Sequence, residues 1–155
     1  MLLPETTNEL NTDVLIDVPL YKLYSIKAIT LATFFGGILP GGFMMAQNFK
    51  ELNENNKANI TWLVTAGVVV LMISTPFIPA LDSIPSLFYS FFYTILAGSM
   101  ARKFQSASLE THQLAGGSLQ STGKIVLICV IGLLTILLTL FGIYYLASLA
   151  NTTAN

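Results

Sequence analysis

The sequence predicts an all-α integral membrane protein: a small bundle of about four membrane helices, the first of them broken by glycine and proline. The chain is 54% hydrophobic and only 10% charged, whereas soluble domains average about 25% charged residues. Its apolar residues also gather into long runs that reach the roughly 17–25 residues needed to cross a bilayer core. Because lipid offers no hydrogen-bond partners to the backbone, such runs are expected to be helical.

A single membrane domain between two polar ends is the predicted organisation. Residues 1–24 read as a polar, amphipathic tail, residues 25–150 as the transmembrane domain, and residues 151–155 as a second tail. The predicted membrane segments are 28–48, 60–81, 84–101 and 125–149.

Local signals place two helix boundaries. Ser25 is of the residue type that caps a helix start. In the loop 102–124, the stretch SLETHQLAGGSLQS predicts one short helix ended by Gly116 and Gly117, since glycine favours the backbone conformation that terminates a helix.

The first membrane segment contains FFGGILPGGF, and two structures fit it. In one, the chain enters the membrane, turns at its glycines and returns as a re-entrant hairpin with short arms. In the other, it is a continuous helix kinked at Pro40. Small residues recur every four positions, which favours the continuous helix, because such strips let helix backbones pack closely. The two rows are Ala28, Ala32, Gly36 and Pro40, and Thr33, Gly37 and Gly41.

Positive charge favours the hairpin instead. Short cytoplasmic loops are enriched in Lys and Arg. If the first segment crossed the membrane, Lys22 and Lys27 would lie opposite the other cationic residues; if it returned, all would share one side. Those others are Lys50, Lys57, Arg102, Lys103 and Lys124. In both cases, loops 49–59 and 102–124 are predicted to be cytoplasmic.

The last segment carries a second strip of small residues. Gly132, Thr135, Thr139 and Gly142 have the spacing of a left-handed helix seam. Together with Ala32, Gly36, Gly37, Pro40 and Gly41 they are the predicted helix-packing or hinge residues. The two strips can pack on each other within the chain, or one can remain open for a second subunit; the sequence leaves both possibilities.

Few groups in the sequence suit chemistry. The predicted spans contain no ionisable Asp, Glu, Lys, Arg or His, the groups that mark proton and ion paths. Glu110 and His112 lie two residues apart in a loop, where we expect solvated surface. At the membrane exit, Asn48 can cap or bond across helices and Lys50 can meet a head group, but a plain helix end at the cytoplasmic surface is favoured. The sequence therefore predicts a non-enzyme with no cofactor, no metal site and no nucleic-acid partner.

The segment SIKAITLATFFGGILPGGFMMAQNFKEL (Ser25–Leu52) resembles the opening of a family of small, uncharacterised, multi-spanning bacterial membrane proteins. In these, an Ala-Thr-Phe segment leads through a Gly/Pro-rich stretch to an Asn-Phe pair and a polar loop. The resemblance implies a bacterial inner-membrane location and carries no activity.

Two functional hypotheses follow. The first is an accessory or assembly subunit that uses small-residue faces to bind other membrane helices, with the lipid bilayer, a membrane-protein partner or further copies of the chain as its partners. The alternative is a small oligomeric transporter or channel in which the Gly/Pro break at 34–43 is a hinge or gate.

Overall fold

The computed structural model describes residues 18–75, 78 and 84–153, and this part of the chain is all-helical. Its helices are α1 (Ile26–Gly36), α2 (Ile38–Glu51), α3 (Asn55–Ser74), α4 (Ser86–Leu114) and α5 (Thr122–Thr153). The prediction of an all-α fold is confirmed. Most of the predicted N-terminal tail lies outside the described residues, and so does most of the connection between α3 and α4.

Helices α1 and α2 form an antiparallel pair, which we call the hairpin (residues 26–51). Gly41 lies against the Thr33 side chain of α1, and farther from the turn Asn48 bonds to the backbone of Tyr24. Residues on either side of Gly37 are therefore paired as the chain reverses. The first membrane segment is not a continuous kinked helix, so the structure that its four-residue recurrence favoured is wrong.

The turn of the hairpin depends on Gly37 and Pro40. Gly37 has φ 82° and ψ −173°, a backbone region that is essentially restricted to glycine. Pro40 lies in the first turn of α2, where a missing N–H removes no helical hydrogen bond. At the other end of α1, the Ser25 hydroxyl accepts a hydrogen bond from Ala28 N at 3.1 Å, as predicted for a helix cap.

The hairpin is the centre of the molecule. Helices α3, α4 and α5 each pack on it, and within the described residues none of these three packs on another. Helix α2 faces mainly α3, whereas α1 faces α4 and α5. The buried apolar cluster accordingly lies mostly in the hairpin, and it includes Tyr24, Ile29, Ala32, Met44 and Phe49.

Two described helices, α3 and α5, are long and apolar enough to cross a membrane. At 1.5 Å per residue, α1 and α2 extend only about 16 and 21 Å, which is less than the bilayer core of about 30 Å. Helix α4 runs without a break from Ser86 to Leu114. The loop 102–124 is thus shorter than predicted: its first part continues α4, and Gly116, with φ 81°, marks the helix end as expected.

All the Lys and Arg side chains lie at one end of the molecule, the end where the hairpin opens. Lys124 Nζ lies 5.8 Å from the centre of the Tyr24 ring, and Lys57 Nζ lies 5.8 Å from that of Phe49. The remaining ones flank the same contacts: Lys22 and Lys27 precede and begin α1, Lys50 ends α2, and Arg102 and Lys103 lie within one turn of Gln105. The hairpin therefore removes the charge separation that a crossing segment would create.

Candidate functional site

A buried polar junction closes the base of the hairpin. Asn48 is fully buried. Its Oδ1 accepts from Tyr24 N at 2.7 Å, and its Nδ2 donates to Tyr24 O at 2.8 Å. The Asn48 amide thus bonds to both polar backbone groups of Tyr24, which precedes the Ser25 cap of α1. Asn48 is not an exposed helix end, whereas its neighbour Lys50 is exposed.

The junction extends to α4 through Gln105, which is also fully buried. Asn48 Nδ2 donates to Gln105 Oε1 at 3.0 Å, and Gln105 Nε2 donates to Met45 O at 2.8 Å. Each amide thus has partners for its oxygen and its nitrogen. Satisfied networks of this kind fix one packing arrangement, because any displacement leaves a polar group unpaired. The junction joins α1, α2 and α4.

The segment before α1 is tied to the connection between α4 and α5. Leu23 pairs with Leu119 in an isolated parallel bridge. Leu23 N donates to Ser118 O at 3.3 Å, and Gln120 N donates to Leu23 O at 2.9 Å. Leu23 and Tyr24 are fully buried, so the end of the predicted polar tail is part of the packed structure.

His112 is buried beside this bridge, not on a solvated surface as expected. It is only 3% exposed, its ring stacks on Tyr21 at 4.8 Å, and its Nε2 lies 3.1 Å from Ser118 O. Glu110 is exposed. Because helix residues two apart point in different directions, the helical extension of α4 separates the pair. His112 therefore packs the loop against the N-terminal segment.

The small residues of the hairpin are in contact inside the chain. A Cβ added at Gly36 would lie 3.1 Å from the Cys129 backbone of α5. Gly41 faces Thr33 across the hairpin, and Gly42 faces Thr65 of α3. Ala32 is fully buried. The predicted strip is thus an internal packing surface, and its glycines admit neighbours that a side chain would displace.

The α5 strip is only partly covered. Gly132 receives the Pro40 ring, so the two predicted strips do meet at this point. Thr135 and Thr139 are exposed, with each hydroxyl bonded to a carbonyl of its own helix at 2.8 Å. No atom lies within 4 Å of a Cβ added at Gly142. The hairpin therefore covers the first part of the strip and leaves the rest free.

Apolar crevices lie on two sides of α3. The first is a cavity of about 320 Å³ between α3 and α4, with α2 as its floor. The second, of about 220 Å³, lies between α3 and α5 and includes Thr135 and Thr139. Both exist because α3 and α5, like α3 and α4, do not approach each other.

The sequence did not reveal Gln105 or the burial of His112. Both residues follow Arg102 and Lys103 in a polar stretch that has the composition of a loop. The one available signal was Asn48, a polar side chain at the end of an apolar segment, which needs a partner if it is buried. Within the described residues, no three His, Cys, Asp or Glu side chains are grouped as metal ligands would be.

A comparison of this chain with protein-family models, curated proteins and solved structures finds no match.

Proposed function

We propose that the protein is a non-enzymatic, multi-pass protein of the bacterial inner membrane that acts as an accessory or assembly subunit by binding a helix of another membrane protein. The observation that carries this proposal is the open groove between α3 and α5. Its α5 wall contains Thr135 and Thr139 from the uncovered part of the small-residue strip, together with Ile136, Leu140 and Ile143.

Integration in the membrane rests on the apolar outer surface of the bundle. Helices α3 and α5 have the length and composition of spans. The first half of α4 presents large apolar side chains outward as well: Leu87, Phe88, Phe91, Phe92 and Ile95 are each more than half exposed. A continuous apolar surface of this extent is characteristic of contact with lipid or with another protein. We therefore propose three spans around a re-entrant hairpin.

The proposed orientation places the hairpin base in the cytoplasm. All Lys and Arg residues lie at this end, and positive charge in short loops is retained on the cytoplasmic side. Residues 49–59 and 102–124 are then cytoplasmic, and the end of α5 is outside.

Cysteine labelling of intact cells tests this orientation. In a variant that lacks the native Cys129, an impermeant maleimide should label Thr152→Cys but not Asn56→Cys until the membrane is opened. The reverse pattern would indicate the opposite orientation. Labelling of both positions in intact cells would contradict the proposed topology.

The open groove suits a helix from a partner. Small side chains let helix backbones approach closely, and association in lipid depends on this packing. The Thr135 and Thr139 hydroxyls are already bonded within α5, so a partner need not satisfy them. On the facing wall, Val69, Met72 and Ile73 offer apolar contacts.

The decisive experiment is purification of the tagged protein from its own membranes in mild detergent, with native-size analysis. We expect a stoichiometric foreign membrane protein, and Thr139→Leu should reduce its recovery by filling the groove that Thr139 lines. The control is Gly67→Leu, which adds a leucine at an open position of α3 that lines neither crevice. Equal recovery with both variants, or the absence of any partner, would contradict the proposal.

The alternative is a small oligomeric transporter or channel with the break at 34–43 as its hinge or gate. The turn at Gly37 favours it, since non-helical backbone at membrane depth is tolerated where it is buried in protein or lines a water-filled cavity. Recovery of a homo-oligomer alone, together with solute flux in liposomes that Gly37→Ala alters, would support this function. Tight liposomes would argue against it.

A further inference from the structure

We propose that the crevice between α3 and α4 binds the acyl chain of a membrane phospholipid, with the lipid's head group held at the start of α3. The proposal rests on the membrane integration proposed above. It is independent of the helix-binding groove, which lies on the other side of α3.

The crevice has the dimensions and lining of an acyl-chain site. Its volume is about 320 Å³. On α3 it extends from Lys57 to Val68, a distance of about 16 Å at 1.5 Å per residue. Apart from Lys57 and two threonines the lining is apolar, and it includes Met45, Val64, Leu96, Met100 and Phe104. Within the described residues the backbones of α3 and α4 do not come into contact, so the crevice between them can admit a chain from the side.

A polar basin adjoins the crevice at its charged end. This basin has a volume of about 340 Å³ and is lined by Asn53, Glu54, Asn55, Asn56 and Lys57. Lys57 lines both cavities. An apolar channel that leads into a polar basin through one lysine matches an amphipathic molecule that has a long tail and a polar head.

The charges of the basin indicate which head group it accepts. Lys57 Nζ contacts Glu54 Oε1 at 2.6 Å, and an ammonium has two further donors for a phosphate oxygen. The backbone N–H groups at the start of α3 also favour an anion. Lys103, which stacks on Phe104 at the opposite wall, adds positive charge. The phosphate of the lipid is therefore placed beside Lys57.

Glu54 can bind a part of the lipid head group other than the phosphate. The Glu54 side chain is 32% exposed, and its Oε2 has no hydrogen-bond partner within the described residues, so this oxygen is free to accept from a ligand. A head group with a donor beyond its phosphate, such as the ammonium of ethanolamine or the hydroxyls of glycerol, would satisfy it. Choline has no such donor. The proposed ligand is thus a phospholipid with an ethanolamine or glycerol head.

Native mass spectrometry of the delipidated full chain tests this ligand. Phosphatidylethanolamine, phosphatidylglycerol and phosphatidylcholine with identical acyl chains are added separately. We expect the first two lipids to bind about tenfold more tightly than the third, which corresponds to one charge-assisted hydrogen bond. Glu54→Ala should reduce this preference, and Lys57→Met should weaken binding of all three lipids. Equal binding of the three lipids by the unaltered protein, or no binding at all, would overturn the proposal.

A second pair of variants tests the place of the acyl chain. Val64→Trp should fill the crevice and abolish binding. The control Val70→Trp adds the same side chain to an exposed position of α3 that lines neither crevice, and should bind as the unaltered protein does. Lipid retained by Val64→Trp would contradict the crevice site, and Lys57→Met decides the question if Val64→Trp does not fold. Because the partner groove is intact in Val64→Trp, loss of lipid with the partner retained separates the two proposals.

Discussion

The hairpin and α5 carry the same sequence signal but have opposite surroundings. Both contain glycine, proline or threonine at three- or four-residue spacing. In the hairpin, Ala32 and Gly41 are buried against the chain's own helices, whereas on α5 only Gly132 is covered and Gly142 is open. The same pattern of small residues is thus packed on the chain's own helices in one place, and in the other it is only partly covered by the described residues.

The difference follows from helix length. In the proposed membrane arrangement neither arm of the hairpin is long enough to span the bilayer core, so an exposed hairpin would leave the helix ends at Gly37 in lipid, where unpaired backbone groups are costly. Surrounding helices must cover it. Helix α5 satisfies its own backbone over its whole length and needs no cover, which leaves part of its surface available for other contacts.

The largest loss of stability is expected from a substitution that adds a side chain inside the hairpin. Gly41→Leu places a side chain where Thr33 already packs, and overpacking of a core typically costs about 1–3 kcal/mol for far smaller insertions. We expect loss of a monodisperse peak in size-exclusion chromatography. Gly67→Leu is the control on the outer surface and should remain monodisperse. A folded Gly41→Leu protein would show that the hairpin is not closely packed.

A somewhat smaller loss of stability is expected from removing the Asn48 amide at the hairpin base. Asn48→Ala leaves Tyr24 N, Tyr24 O and Gln105 Oε1 without their partners. An unsatisfied buried group costs about 1–3 kcal/mol, so the melting temperature in detergent should fall by roughly 10 °C. Gln47→Ala is the neighbouring control, because Gln47 bonds only to Glu51 one turn away. A similar melting temperature for the two variants would mean that the junction does not hold the hairpin.

The turn at Gly37 should tolerate a substitution with a smaller loss of stability. Gly37→Ala forces a side chain into a backbone region that favours glycine, at a cost of about 1–3 kcal/mol. The only close contact of the new Cβ is the end of the Ile136 side chain, at 2.6 Å, which can rotate. Thermal unfolding measures the loss. A variant as stable as the unaltered protein would indicate that the turn adopts another conformation.

For a substitution on the exposed face of α5, the expected change in stability is close to zero. Leu133 is 47% exposed, and its side chain lines neither crevice. Leu133→Ala should therefore change the free energy of unfolding by no more than about 0.5 kcal/mol. A loss as large as that of Asn48→Ala would show that this face of α5 packs on protein, and it would remove the contrast between the two regions.

Composition was sufficient to predict the helical class, because long apolar runs with few charges favour helices. It was also sufficient to locate the break in the first segment. The sequence pattern could not decide between a kink and a turn, because a spacing of four residues also aligns Thr33, Gly37 and Gly41 on one face of a single helix. In the structure, Gly41 meets Thr33 from the other arm of a hairpin. Charge was the better guide, because the Lys and Arg residues do lie together at the end where the hairpin opens.

The polar junction could not be predicted from local patterns. Asn48 and Gln105 are separated by 57 residues, and each lies in a stretch whose composition fits an exposed helix end. Their burial depends on α4 continuing past Arg102 and Lys103, beyond the apolar region that defined the predicted span. Only the packing of that extension on the hairpin brings the two amides together.

The distance in sequence between Asn48 and Gln105 has a consequence for synthesis. A chain elongating at about 5–20 residues per second needs roughly 3 to 11 seconds to add the 57 residues between them. The backbone partners of Leu23, which are Ser118 and Leu119, are synthesised later still. During that interval the hairpin lacks the α4 neighbours that cover it in the folded structure. The junction at the hairpin base is therefore completed only after α4 has been synthesised.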